Sequence, residues 1–69
     1  MKNIKAKNAR IIKEWNDYCP PGTEVKVCLN DGSFLYTETT SAAWDICGTP
    51  SVKVKGISGG YDLDRITIP

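Results

Sequence analysis

The sequence predicts a single α+β domain, mainly β, in which an N-terminal amphipathic helix precedes a small antiparallel barrel of four or five strands. Apolar residues recur with a helical period over residues 3–18, and from Glu24 onward they alternate with a period of two. A turn signal, Asp31-Gly32, separates the first two alternating segments. With 69 residues, the chain can build one small core. We therefore assign one domain, with the helix in residues 1–18 and the barrel in residues 22–69.

The first element is an amphipathic helix, expected over roughly residues 4–17. On a helical wheel, the apolar residues fall within an arc of about 120° that only Asn8 interrupts. They are Ile4, Ile11, Ile12, Trp15 and Tyr18. Basic residues form the opposite face, and they are Lys2, Lys5, Lys7, Arg10 and Lys13. Pro20 and Pro21 end the helix, because proline disfavours the helical conformation in the residue before it.

The next two elements form a β-hairpin. Val25, Val27 and Leu29 alternate with polar positions, which predicts a half-buried strand. Asp-Gly favours a two-residue type I′ turn, and such a turn fixes which residues face each other. It predicts that Leu29 lies opposite Phe34 and that Val27 lies opposite Tyr36, so that Tyr36 points into the core.

The segment after this hairpin, residues 41–46, is compatible with two structures. Ser41 suits the cap of a short helical turn, whereas the same residues also suit a bent strand with Trp44 and Ile46 pointing inward. Both alternatives stay open from the sequence.

Two short strands complete the prediction. A turn cluster at residues 48–51 precedes a clean alternation over residues 52–55, and a terminal strand is expected at residues 66–68. A sheet this small exposes one apolar face unless it curls, so we expect a barrel with the helix covering one end or face.

The charge is small but unevenly distributed. The net charge of +1 is too low for the whole chain to bind polyanions through bulk charge. Residues 1–18 carry five basic and two acidic side chains, a net charge of +3, whereas residues 19–69 carry four basic and six acidic side chains, a net charge of −2. A basic helix is therefore attached to a mildly acidic body.

The residue inventory argues against catalysis, metals and cofactors. The chain has three cysteines and no histidine, which supplies no zinc-binding set, so we expect reduced thiols. Asp62 and Asp64 alone provide too few oxygen ligands for a divalent cation. No apolar run suits a secretory signal or a membrane span. We expect a cytoplasmic, noncatalytic protein without a cofactor and without a membrane partner.

Several motifs carry a resemblance to a known type of domain. These are PGTEVKV at residues 21–27, NDG at 30–32 and VKVKG at 52–56. With them the chain resembles small Src-homology-3-like and KOW-type barrels, and the ending GGYDLDRI at 59–66 looks like that of short phage and prophage accessory proteins. The resemblance implies a noncatalytic binding module that docks on a host protein or a nucleic-acid-processing complex, for example a defence system.

Protein binding is the first functional hypothesis. We expect an inhibitor or adaptor that binds a host protein complex, in the cytoplasm of the host cell if the chain is phage-encoded. Aromatic and arginine side chains often dominate such interfaces. The candidate contacts are Tyr61, Arg65 and Arg10. A homodimer that buries the apolar face of the helix is also compatible with the pattern.

Direct nucleic-acid binding is the alternative hypothesis. Small barrels bind single strands by combining basic side chains with aromatic platforms. Here the candidates are Lys26, Lys53, Lys55 and Tyr61, together with the basic helix face. Because Tyr36 and Trp44 are expected in the core, Tyr61 is the one aromatic residue expected at the surface of this site.

Overall fold

One α-helix precedes six short strands in the computed structural model, which describes residues 4–69, with side chains from Ala6 onward. The elements are α1 (Ile4–Tyr18), β1 (Glu24–Cys28), β2 (Phe34–Glu38), β3 (Trp44–Ile46), β4 (Thr49–Lys53), β5 (Gly60–Asp62), a 3-10 helix (Leu63–Arg65) and β6 (Ile66–Thr67). The predicted class, one helix and a mainly β remainder, is confirmed. The described chain has six strands rather than four or five. Among residues 4–69, no helical segment has both the length and the apolar character of a membrane span.

The strands form two antiparallel sheets that share one stretch of backbone. The first sheet has the order β2-β1-β6 and the second has the order β3-β4-β5. Beyond the end of β2, Thr39 bridges Val54, and flanking hydrogen bonds of 2.9 Å join Thr40 N to Lys53 O and Lys55 N to Glu38 O. The segment from β2 to β3 is therefore a bent strand that joins the two sheets. This confirms the bent-strand alternative and excludes the helical turn.

The bend between β2 and β3 is held by polar contacts. The Lys53 amide donates to Ser41 Oγ over 3.2 Å, and the Asn16 side chain of α1 bonds both backbone groups of Ala43. Thr39, only 1% exposed, accepts a hydrogen bond from Thr23 N at its hydroxyl and donates to Pro20 O, each over 3.2 Å. The bend is thus anchored to the helix on one side and to the loop before β1 on the other.

The expectation that Trp44 and Ile46 point into the core is wrong. The Trp44 side chain is 37% exposed, and both side chains lie on the outer face of the second sheet, the face of Gly60 and not that of Val52. A Cβ atom added at Gly60 would lie 2.5 Å from Ile46 Cδ1 and 3.1 Å from the Trp44 ring. The two side chains therefore occupy the space above Gly60, which only glycine leaves open.

The core lies between the sheets and the helix. Its centre is built from four valines that are at most 2% exposed, and Leu63 and Ile66 extend it. Val25 and Val27 lie in β1, Val52 lies in β4, and Val54 follows β4 at the bridge to Thr39. Three apolar residues of α1 pack against this core, as predicted: Ile11, Ile12 and Trp15. Tyr18 does not join them, because it is 84% exposed at the end of the helix. Predictions for Lys2 and for the side chains of Ile4 and Lys5 lie outside the described residues.

Asn8 interrupts the apolar face of α1 because it bonds to the β3–β4 turn. The side chain is 7% exposed, and its amide donates to Asp45 Oδ2 over 3.2 Å and to Gly48 O over 2.8 Å. The i,i+4 spacing on α1 favours two ion pairs, Arg10–Glu14 and Lys13–Asp17. Lys13–Asp17 forms at 2.8 Å and is the one recorded within residues 4–69. It raises the pKa of Lys13.

The predicted hairpin forms, but its predicted register is wrong by one residue. The observed pairs are Cys28 with Phe34, Val27 with Leu35, and Lys26 with Tyr36. Since neighbouring residues of a strand point to opposite faces, this shift turns Phe34 and Tyr36 outward and Leu35 inward.

The loop of the hairpin explains the shift. Gly32 N donates to Leu29 O and Leu29 N donates to Ser33 O, so three residues rather than two form the loop. Within the described chain, Cys47 is the one non-glycine residue at positive φ, so Asp31 does not adopt the conformation that a type I′ turn needs; Gly32 alone does, with φ of 86°. The Asp31 carboxylate instead accepts the Ser33 hydroxyl and amide, which lowers the pKa of Asp31.

The tight two-residue turn lies in the next hairpin. Cys47 and Gly48 have φ of 49° and 91°, the signs that a type I′ turn needs, and they connect β3 to β4. The predicted turn cluster at residues 48–51 is therefore wrong beyond Gly48. Thr49 begins β4, and Pro50 lies opposite Asp45 within the strand pair.

Candidate interaction surface

The outer face of β1 and β2 carries two exposed aromatic rings on either side of a lysine. Phe34 is 54% exposed and Tyr36 is 66% exposed. The Lys26 ammonium lies 4.1 Å from the centroid of the Phe34 ring and 5.9 Å from that of Tyr36. Both distances are within the range of a cation–π interaction. We call Lys26, Phe34 and Tyr36 the ring face.

The alternation of the two strands places these side chains together. Val25 and Val27 are fully buried, so the residues between and after them, Lys26 and Cys28, face outward. Across the strand pair, Lys26 lies opposite Tyr36 and Cys28 lies opposite Phe34. Exposed aromatic rings are characteristic of the anchor residues of protein interfaces.

A groove adjoins the ring face at the end of the strand pair away from the loop. Glu24 and Glu38 lie directly opposite each other there, both exposed. The groove is lined by Gly22, Glu24, Val25, Tyr36, Thr37, Glu38, Lys55 and Pro69. We call it the carboxylate groove. Tyr36 belongs to both surfaces, so the ring face and the carboxylate groove are continuous.

Tyr61 does not have the exposed position that the sequence predicts. The ring is half-buried and packs against the core, and the hydroxyl donates to Cys28 O over 2.5 Å. The side chain therefore holds the end of β1 that pairs with Phe34. Whether Tyr61 also contacts a partner stays a prediction.

Arg65 and Arg10, the other predicted protein contacts, are both exposed on different elements. Arg65 donates to Asn30 Oδ1 over 2.8 Å and to Leu29 O over 3.2 Å, which links the 3-10 helix to the hairpin loop. Arg10 lies on α1, which packs against β3 and β4. The structure thus places Arg65 next to the hairpin that carries the ring face and Arg10 on the helix.

The three lysines of the nucleic-acid hypothesis lie on the outer faces of both sheets. Lys26 is in the ring face, Lys55 lines the carboxylate groove, and Lys53 lies opposite Gly60 in the β4–β5 pair. Glutamates are interspersed among them at the groove. The basic side chains Lys7, Arg10 and Lys13 are exposed on α1 and belong to a separate element. Within residues 4–69, no group of three or more Cys, Asp or Glu side chains is arranged to hold a metal ion.

Sequence reasoning missed Phe34, Glu24 and Glu38 as candidate site residues. A signal for them was present in the loop, because Asn30-Asp31-Gly32 also fits a three-residue loop with glycine in the left-handed position. That reading places Phe34 and Tyr36 on the same face as Lys26.

The three free cysteines differ strongly in exposure, which predicts their order of reaction. Cys19 is buried, Cys28 is intermediate and Cys47 is exposed. We expect a disulfide reagent at pH 8 to label Cys47 first, Cys28 more slowly and Cys19 only on unfolding. Labelling kinetics followed by peptide mapping test this order. A fast phase that persists in Cys47→Ser contradicts it.

Burial also raises the pKa of the Cys19 thiol above its ordinary value of 9.0. The unfolded chain therefore loses this proton at a lower pH than the native chain does. The contribution of Cys19 to stability is complete below pH 9.0 and declines as the pH rises above it. In Cys19→Ala, the free energy of unfolding should therefore fall less steeply than in wild type as the pH rises above 9.0.

No protein family, curated protein or solved structure matches this chain. The resemblance to Src-homology-3-like barrels and to phage accessory proteins therefore stays a prediction.

Proposed function

We propose that this chain is a noncatalytic protein-binding module, an inhibitor or adaptor that docks on its partner through the ring face. The observation that carries the proposal is the placement of Lys26 between the exposed rings of Phe34 and Tyr36. Rings that are more than half exposed leave apolar area in water that a partner would bury. The stem of Lys26 adds further apolar area between them.

The charge of this surface favours a protein partner. Around the rings, Lys26 and Lys55 are balanced by Glu24 and Glu38, so the surface is close to neutral. Nucleic-acid binding depends mainly on neutralising phosphates, which an evenly balanced surface does poorly. Protein interfaces, in contrast, combine an apolar aromatic centre with a polar rim, and the groove and its neighbours supply that rim.

For the scaffold, we propose a small Src-homology-3-like barrel. Support comes from the Thr39–Val54 bridge, through which the strands follow one another in the order β6-β1-β2-β4-β5. A phage-type origin, a host protein as the target and a cytoplasmic location are proposed from the sequence resemblance and the residue inventory.

Direct nucleic-acid binding is the second candidate, and one observation favours it. Aromatic side chains that were expected inside the core are exposed on the outer faces that carry lysines: Phe34 and Tyr36 beside Lys26, and Trp44 above Gly60, the residue opposite Lys53. Stacking on such rings is how small barrels hold single strands.

Affinity capture with a matched pair of variants tests the proposal. Tagged wild type, Phe34→Ser/Tyr36→Ser and Tyr18→Ser are incubated with host lysate, with half of each sample treated with nuclease. We expect the double variant to recover at least about tenfold less of a nuclease-resistant partner than wild type. Tyr18→Ser removes a ring from α1 that is even more exposed, and it should recover as much as wild type.

The partner identified in this way is then purified and its affinity for each variant is measured at two salt concentrations. Equal binding by wild type and the double variant would sink the ring-face proposal. Capture that disappears with nuclease, together with a steep salt dependence and weaker binding by Lys53→Glu/Lys55→Glu, would establish the nucleic-acid alternative instead.

A further inference from the structure

The outer face of β1 and β2 differs chemically between its two ends. Phe34 lies next to the hairpin loop, and Glu24 and Glu38 lie at the opposite end of the same strand pair. From Phe34 to Glu38 the strand rises about 13 Å, and from Tyr36 to Glu38 about 7 Å. A partner segment that spans this face therefore meets apolar rings at one end and carboxylates at the other.

No close ion pair neutralises the two glutamates among the residues whose side chains are described. Like charges directly opposite each other on adjacent strands destabilise the pair. Within the described chain the recorded ion pair is Lys13–Asp17 on the helix, so Lys55 lines the groove without pairing closely with either glutamate. A partner cation that lies closer to both carboxylates than Lys55 does would relieve this repulsion, and that relief would contribute to affinity.

We propose that the protein partner binds this face through a segment with an apolar side chain on the ring face and an arginine or lysine in the carboxylate groove. The inference rests on the proposed function, whose partner it describes. The basic group lies between the Glu24 and Glu38 carboxylates, with one side against the ring of Tyr36. Carboxylates offer paired oxygens to a guanidinium, and the tyrosine ring attracts a cation to its face.

The spacing restricts the segment. In an extended partner strand, side chains on one face are two residues apart, about 7 Å, which matches the distance from Tyr36 to Glu38 along β2. An apolar residue followed two positions later by a basic residue therefore spans the ring face and the groove. A polyanion fits this face poorly, because its phosphates would approach the same two carboxylates.

The test uses the purified full chain and synthetic peptides. Amide chemical shifts are followed by NMR during titration with acetyl-Ser-Leu-Ser-Arg-Ser-amide, and with the matched peptides that have Gln or Glu in place of Arg. We expect shifts centred on β1 and β2, and binding of the Arg peptide that is about threefold or more tighter than that of the Gln peptide. The Glu peptide should bind weakest.

Two variants separate a specific groove from general charge attraction. Glu24→Gln/Glu38→Gln should abolish the preference for Arg over Gln, whereas Glu14→Gln/Asp64→Asn, which removes the same charge at exposed sites elsewhere, should keep it. Equal affinity for the Arg and Gln peptides, or a preference that survives in Glu24→Gln/Glu38→Gln, overturns the inference.

Two further outcomes distinguish this inference from self-association of the chain and from the docking proposal. Shifts of the same β1 and β2 amides on dilution of the free protein would assign the face to a second copy of the chain and overturn the inference. If the Arg preference is found while Phe34→Ser/Tyr36→Ser still captures its partner from lysate, the groove assignment holds and the docking proposal fails. The reverse pattern, a lost partner without an Arg preference, overturns the groove assignment alone.

Discussion

Replacing Asn16 with alanine is expected to lower the free energy of unfolding by about 2–4 kcal/mol. The Asn16 side chain accepts the Ala43 amide over 2.7 Å and donates to the Ala43 carbonyl over 3.2 Å. Ala43 is only 5% exposed, so water cannot easily replace these bonds. The alanine variant leaves one buried donor and one buried acceptor of the bend unsatisfied. For a domain whose total stability is a few kcal/mol, this brings the midpoint of unfolding close to ambient conditions.

Urea unfolding followed by circular dichroism measures the effect. Asn16→Asp keeps the acceptor for the Ala43 amide but loses the donor, so its stability should lie between that of wild type and that of Asn16→Ala. Lys7→Ala, an exposed change on the same helix, is the control and should stay within about 0.5 kcal/mol of wild type. A loss of that small size in Asn16→Ala would mean that the contact does not stabilise the bend.

The second large effect is expected at Leu35. The observed register turns this residue toward Val27 and the core, whereas Tyr36 faces outward. Leu35→Ala should therefore lower the free energy of unfolding by about 2 kcal/mol, toward the low end of such changes because Leu35 is only partly buried. Tyr36→Ala should change it by less than about 0.5 kcal/mol.

The pair of variants distinguishes the two registers directly. A two-residue type I′ turn would put Tyr36 inside and Leu35 outside, so the order of the two losses would be reversed. Both variants are unfolded in urea under the same conditions, with wild type beside them. A larger loss in Tyr36→Ala than in Leu35→Ala would contradict the observed pairing.

The helix and most strands were predictable because periodicity depends on residues close together in the chain. Ile11, Ile12 and Trp15 recur at helical spacing, and they do pack against the core. The alternation around Val25 and Val27 likewise predicts β1. These patterns decide which side of an element is buried, and they needed no knowledge of its neighbours.

The hairpin register was not predictable from Asp31-Gly32 alone. The loop can place either two residues or one at positive φ, and small differences in local interaction energy decide between the two conformations. Here the Ser33 amide and hydroxyl bond the Asp31 carboxylate, and Gly32 alone takes the left-handed conformation. A difference of one loop residue then reverses the face of every residue in β2.

The polar contacts of the helix also could not be predicted from the sequence. Asn8 and Asn16 look like interruptions of an apolar face, yet they bond backbone groups of Gly48 and Ala43. The partners are 40 and 27 positions away along the chain. Because nearly all residue types have the same backbone amide and carbonyl groups, no pattern in the sequence identifies Gly48 and Ala43 as the bonding partners.

The candidate site changed for the same reason as the register. The aromatic residue expected at the surface, Tyr61, is half-buried and holds β1, while Tyr36, expected inside, is among the most exposed rings. Lys26 was predicted correctly as an outward residue. A lysine beside an exposed aromatic ring could be predicted from the sequence, but not which rings are exposed beside Lys26.

The bent strand from β2 to β3 couples the motions of the two sheets. Since one continuous backbone pairs with β1 at its start and with β4 further on, neither sheet can open fully without disturbing the other. Such an arrangement makes the strands a single cooperative unit in hydrogen exchange rather than two separately fraying sheets. Binding of a partner to the outer face of β1 and β2 would then slow hydrogen exchange in β4 as well, which lies in the other sheet.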